Sequence, residues 1–170
     1  MMWWLLVELI LLLILFIILL FFNLHYLYGA PYEPSRGKAL KNIVKFTNPK
    51  KGDKIAELGS GDGRICIELA KKGAEVHGFE INPFLVFISR KKIKKAKLQN
   101  KIFIHWKNFF KEDLRGYNKI VLFQFNTITK KISKKLKKEL KPKSKIISHW
   151  WQLKEFKLKK KIGRIYLYEV

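Results

Sequence analysis

Residues Ile55 to Arg64 read IAELGSGDGR, a short apolar run carrying Glu57 that ends in a turn with three glycines and a second acid, Asp62. Glycines after a strand let the backbone turn tightly and approach a ligand, and the helix that follows offers free N–H groups. The dinucleotide fingerprint G-x-G-x-x-G puts its last glycine three residues after the second. Here that place is Arg64, and the third glycine comes early, at Gly63. Carboxylates beside a pyrophosphate repel it, whereas beside an ammonium or sulfonium they attract. The turn therefore suits a nucleoside that is cationic at its reactive end. S-adenosylmethionine (SAM) has that character: no phosphates, a positive sulfur, and an amino-acid tail with its own ammonium.

Glu80 lies 21 residues after Gly59, at the end of a second apolar run, where its two oxygens suit a pair of ribose hydroxyls. Dinucleotide sites use the same spacing, so the glycine pattern and the acid before it carry the distinction. Cys66, on the helix expected after the turn, reads as a small core residue rather than a nucleophile. His77, His105 and His149 show no ligand spacing, and no metal site is expected.

The elements that would position this chemistry alternate. Strands are predicted at 54–58, 75–80, 102–106, 119–125 and 145–150. Between them come helices at 64–72, closed by Gly73, and from Pro83, capped by Asn82. A further helix carries Ile128, Ile132, Leu136 and Leu140 as one apolar stripe among lysines. Ser35 is expected to cap a helix running through Phe46, and WQLKEFKLK and GRIYLYEV alternate as an antiparallel pair. Strands alternating with helices imply an α/β fold with a mainly parallel sheet and a C-terminal hairpin.

The first 28 residues are of another kind. From Trp3 to Phe22 the only polar side chain is Glu8, and twenty residues at ~1.5 Å each span roughly 30 Å, a bilayer's hydrocarbon thickness. The expectation is one transmembrane helix. All 36 lysines and arginines lie after it, which by the positive-inside rule makes this a single-pass membrane protein with a cytoplasmic body. A lone cysteine agrees with a reducing compartment. The +23 charge admits three partners for the body: anionic headgroups, nucleic acid, or none beyond solvent.

AELGSGDGR, GFEINP and LKPKSKIIS resemble the glycine motif, ribose-binding acid and pre-strand turn of Rossmann-like class I SAM-dependent methyltransferases. The apolar N-terminus, PYEPS, ELGSGDGRICIELAKKGAEVHGFEINPFLVFISR and the Trp-rich final strands resemble the membrane-anchored protein-lysine methyltransferases. In mitochondria that family modifies the ATP synthase c-subunit and the adenine nucleotide translocase. The resemblance implies an anchor at 1–28 and a methyltransferase domain at 29–170. It implies that Glu57, Gly59, Ser60, Gly61 and Gly63 line the methionine and ribose side and that Glu80 binds ribose. Asn108 stands where such enzymes often keep an Asp toward the adenine amino group. No catalytic residue is implied.

The expected activity is methylation of an accessible lysine on a membrane or membrane-associated protein. A lysine must react as the free amine, although its ordinary pKa is about 10.4. An apolar, partly desolvated channel favours that form. Tyr32, Pro34, Phe125, Asn126, Trp150 and Trp151 are candidates to line it. The run NTIT at Asn126 lacks the prolines and ring of amino methyltransferases that act on bases, which disfavours an RNA or DNA acceptor. A lipid-headgroup amine and a non-catalytic membrane-tethered module remain as alternatives.

Overall fold

The structure is a computed structural model that describes residues 2–28, 35, 37–124 and 126–170. It divides into two units, Met1–Glu33 and Pro34–Val170.

The first unit is one helix, α1 (Met2–Tyr28), whose side chains are described at 3–17 and 19. Trp3, Trp4 and the leucines and isoleucines that follow are exposed. Among the described residues, no helix is long and apolar enough to cross a membrane. The expected transmembrane helix, and with it the single-pass membrane localisation, is corrected on this finding.

The second unit is a seven-stranded sheet covered on both faces. Its elements are α2 (Gly37–Thr47), β1 (Lys54–Leu58), α3 (Arg64–Lys71), β2 (Glu75–Glu80), α4 (Pro83–Lys95) and β3 (Ile102–Trp106). A single 3-10 turn at Phe109–Lys111 precedes β4 (Lys119–Phe123), α5 (Asn126–Glu139), β5 (Lys145–His149), β6 (Leu158–Ile162) and β7 (Ile165–Glu169). The strand order is β3-β2-β1-β4-β5-β7-β6. β1 to β5 run parallel, and β7 is antiparallel to both β5 and β6. The α/β, mainly parallel expectation holds.

Residue alternation assigns the two faces. Ile55, Val76, Ile102, Val121 and Ile147 meet α2, α3 and α4, while Ala56, Leu58, Ile120, Leu122 and Ile146 meet Ile132 and Leu136 of α5. β1, β4 and β5 are buried on both faces, hence their near-continuous apolar runs. Each buried Ile or Leu contributes roughly 1.5–3 kcal/mol. β6 reads LKKKI and is exposed throughout, so its lysines blunt an open edge against pairing with another chain.

Several boundaries shift for local reasons. β4 stops at Phe123 because Gln124 turns its amide back onto the Leu58 carbonyl at 2.6 Å. β5 stops at His149 because Trp150 turns left-handed, with φ 79°. Ser35 does not cap α2: its hydroxyl lies 2.8 Å from His149 Nδ1. Asn82 caps α4 as expected, its Oδ1 accepting from the Phe84 amide at 2.9 Å and the Leu85 amide at 3.4 Å.

Candidate functional site

β1 and β4 are neighbours in the sheet, yet the chain leaves β1 for β2 on one side and returns to β4 on the other. In open α/β sheets the crevice beyond the carboxyl ends of two such strands is where ligands bind. The glycine turn fills the β1 side of that crevice. Gly59, Gly61 and Gly63 all have left-handed backbones, with φ 81°, 53° and 76°. The amides of Gly59 and Ser60 both donate to the Phe79 carbonyl, at 2.9 and 3.0 Å, and so pin the turn to the end of β2.

At two positions an added side chain would meet close neighbours. A Cβ on Gly59 would stand 2.6 Å from Gln124 Nε2. A Cβ on Gly78, in mid-β2, would stand 2.7 Å from both Ser60 Oγ and Ile104 Cδ1. Gly78 lets the turn lie on its neighbouring strand, a role visible in sequence only as a glycine inside a strand. Ser60 is buried at 4% exposure, and its hydroxyl has no hydrogen-bond partner among the described residues. A buried hydroxyl left unpaired costs free energy that a ligand would recover.

Glu80 ends β2. Its Oε2 accepts from the Gly61 amide at 2.8 Å, and its Oε1 accepts from the amides of Ile81 and Asn82, each at 2.9 Å. Three backbone donors fix the carboxylate's direction and still leave acceptor capacity on its oxygens.

The acids before and within the turn are tied up differently. Glu57 is 3% exposed, and the Cys66 thiol donates to its Oε2 at 2.8 Å. Burial, reinforced by the Asp62 and Glu80 charges, pushes its carboxyl up to about 8 despite the hydrogen bonds from Cys66. Asp62, also 3% exposed, is neutralised locally: Arg64 grips both of its oxygens at 2.8 and 2.7 Å, and Lys92 of α4 reaches Oδ2. Asp62 therefore ties the turn to α4, Glu57 holds its proton below about pH 8, and Glu80 is the acid of the three left to face a cationic ligand. Neither Lys92 nor Gln124 is legible in sequence as a site residue, because each acts on a partner at least thirty residues away.

Asn108 lies just past β3 and is exposed. Its Oδ1 accepts from the Phe110 amide at 3.0 Å and starts the 3-10 turn. Of the residues expected to line an acceptor channel, Asn126 is the exposed first residue of α5. Trp150 and Trp151 follow β5, half-buried. Tyr32, Pro34 and Phe125 lie outside the described residues.

This arrangement fits SAM: glycine backbone without side chains, an unpaired buried hydroxyl, and an oriented carboxylate for a diol. The comparisons agree. The protein-lysine N-methyltransferase of Saccharolobus islandicus (strain REY15A) is 28% identical over 133 residues, 77% of this chain and 83% of that one. The lysine N-methyltransferase of the ATP synthase c-subunit from Homo sapiens is 33% identical over 93 residues, 55% of this chain. The chain spans only 40% of that relative's length. Among solved structures, an RNA methyltransferase from Salinibacter ruber in complex with S-adenosyl-L-homocysteine superposes with a TM-score of 0.77 at 23% identity, covering 81% of this chain and 93% of that one. That likeness establishes the shared fold. The family model of the ANTKMT methyltransferase domain matches residues 57–160, more than half of the sequence, and the chain belongs to that methyltransferase family.

Proposed function

We propose that this chain is a SAM-dependent methyltransferase whose acceptor is a lysine on a protein. The observation that carries the cofactor is the Glu80 carboxylate, aimed by three backbone amides beside a turn of left-handed glycines. Glu57, Gly59, Ser60, Gly61 and Gly63 hold the amino-acid and ribose side, and Glu80 takes the ribose hydroxyls. Asn108 sits at the adenine end, where its side-chain oxygen already caps the following turn. The lysine acceptor is supported by the protein-lysine N-methyltransferases among the relatives.

SAM supplies an electrophilic methyl group on a positively charged sulfur, so the protein's work is alignment and exclusion of water. Glu80 and the turn fix the ribose, which sets where the methyl group stands. Glu57, deeply buried and protonated in the free protein, gives up its proton to answer positive charge on the ligand. Aromatic groups at the ends of β4 and β5 shield the acceptor nitrogen and favour its uncharged form.

Purified chain, tritiated SAM and an extract of the source cells that retains protein, RNA and lipid test this directly. Methyllysine in acid hydrolysates is the expected product. Label confined to RNA or lipid would end the lysine assignment, and tight binding of NADH with none of SAM would end the cofactor assignment.

A further inference from the structure

Where β4 and β5 end, three rings converge. The Phe123 ring centroid lies 4.6 Å from that of His149 and 6.2 Å from that of Trp150. His149 and Trp150 meet edge to face at 6.0 Å. His149 is 7% exposed, and its Nδ1 is 2.8 Å from the hydroxyl of Ser35, itself 6% exposed and 114 residues away in sequence. Trp150 is unusual. Its φ of 79° is a left-handed backbone that a bulky aromatic rarely adopts, at a cost of about 1–3 kcal/mol. The conformation is held from the hairpin: the Trp150 amide donates to the Arg164 carbonyl at 2.6 Å, and the Arg164 guanidinium lies 3.9 Å from the indole centroid.

Packing alone does not explain this. A glycine would satisfy the backbone at position 150 without strain, and nothing about closing a strand demands an indole there. Strain that its surroundings hold in place is a mark of functional positions. The location agrees. Gln124, next to Phe123, already touches the Leu58 carbonyl at the glycine turn. His149 ends the strand two places from β1, so at ~4.8 Å per strand it stands about 10 Å from the turn along the same edge of the sheet.

We propose that Phe123, His149 and Trp150 form the seat of the methyl acceptor, an extended primary-amine side chain whose methylene stem lies along the rings with its nitrogen directed at the glycine turn. This rests on the lysine assignment above. The rings suit a four-carbon stem, whose apolar length covers aromatic faces while its polar tip reaches on. Arg164 adds a permanent cation at the corner, which disfavours a second positive charge there and so favours the neutral amine that can react. Ser35 fixes the His149 ring from outside the sheet.

The test uses n-butylamine, a lysine side chain without its backbone, titrated into full-length protein saturated with S-adenosylhomocysteine. The NMR signals of the Trp150 indole N–H and the His149 ring are followed, assigned with Trp150→Phe. Both should shift together at millimolar amine. Trp150→Gly relieves the strained backbone, so it should keep SAM affinity within about twofold by calorimetry, lose the butylamine response, and form methyllysine about 100-fold more slowly. Trp150→Phe should recover most of the rate. No shift at either ring in the wild-type protein, or wild-type methyllysine formation by Trp150→Gly, overturns the proposal. The wild-type titration needs no variant, so misfolding of Trp150→Gly leaves it decisive. Butylamine seated at Trp150 with no methyllysine from any protein would retain the seat and reject the lysine assignment; methyllysine formed with Trp150 irrelevant would do the reverse.

Discussion

At the N-terminal edge of the sheet, Asp53 lies where β1 and β4 begin. Lys119 Nζ reaches its Oδ2 at 2.5 Å and the Asn48 carbonyl at 2.8 Å, while Asn118 donates to its Oδ1 at 2.8 Å. Burial works against the Asp53 charge, but the bonds from Lys119, Lys50 and Asn118 outweigh it and hold the carboxyl below its ordinary value. At the opposite edge of the same strand, Glu57 has a thiol for a partner and is pushed up to about 8. Two carboxyls four residues apart are thus shifted in opposite directions. The first has every partner it needs within the protein and serves as a staple. The second is buried against a thiol and other acids, a cost that makes sense where a positively charged ligand is to complete the site.

The difference can be broken most sharply at Glu80 and Asp53. Glu80→Ala should weaken SAM binding by at least about 100-fold by calorimetry, since two charged hydrogen bonds at roughly 1.5–3 kcal/mol each are lost. Asp53→Ala should leave that affinity within about threefold while lowering stability by about 1–3 kcal/mol in urea, because Lys119 and Asn118 lose a partner. Equal effects of both substitutions on affinity would erase the distinction.

The pH dependence sharpens it next. Between the ordinary carboxylate value of 4.5 and the folded value of about 8, the native chain keeps a proton on Glu57 that the unfolded chain has released. Stability from Glu57 therefore falls as pH rises through that window, on the order of a few kcal/mol in total. Asp53 runs the other way: its lowered value contributes stability above the ordinary 3.8 that is lost as pH falls below it. Urea midpoints between pH 5 and 9 should decline in the wild-type protein and flatten in Glu57→Gln.

A smaller effect is expected from Gly59→Ala. The new methyl meets only the flexible end of Gln124, so the left-handed backbone dominates and about 1 kcal/mol is lost in thermal unfolding, with SAM affinity falling further than stability. Lys159→Ala on the exposed β6 edge should change stability by less than about 0.5 kcal/mol.

What the sequence discloses depends on how local the cause is. The glycine turn, the Asn82 cap and the Ile132–Leu136–Leu140 stripe are each written within a few residues, and each is found where expected. Asp62 is legible as an acid in the turn, but its neutralisation by Lys92, thirty residues on, is not. Ser35 reads as a helix cap because serine before a helix usually is one; the partner that wins lies 114 residues away. His149 lacks ligand spacing, a criterion blind to rings that meet only when strands pair. At the N-terminus, a dense run of leucine and isoleucine predicts a span, and among the described residues no helix meets that requirement.

The buried pair of Cys66 and Glu57 has one more consequence. Cys66 is the chain's single cysteine, fully buried, and burial together with the neighbouring carboxylate drives its thiol well above the ordinary range. Alkylating reagents attack the thiolate, so they find nothing to react with until the molecule opens. Each label acquired then records one opening event, and the protein carries its own clock for how often the floor of the ligand crevice comes apart.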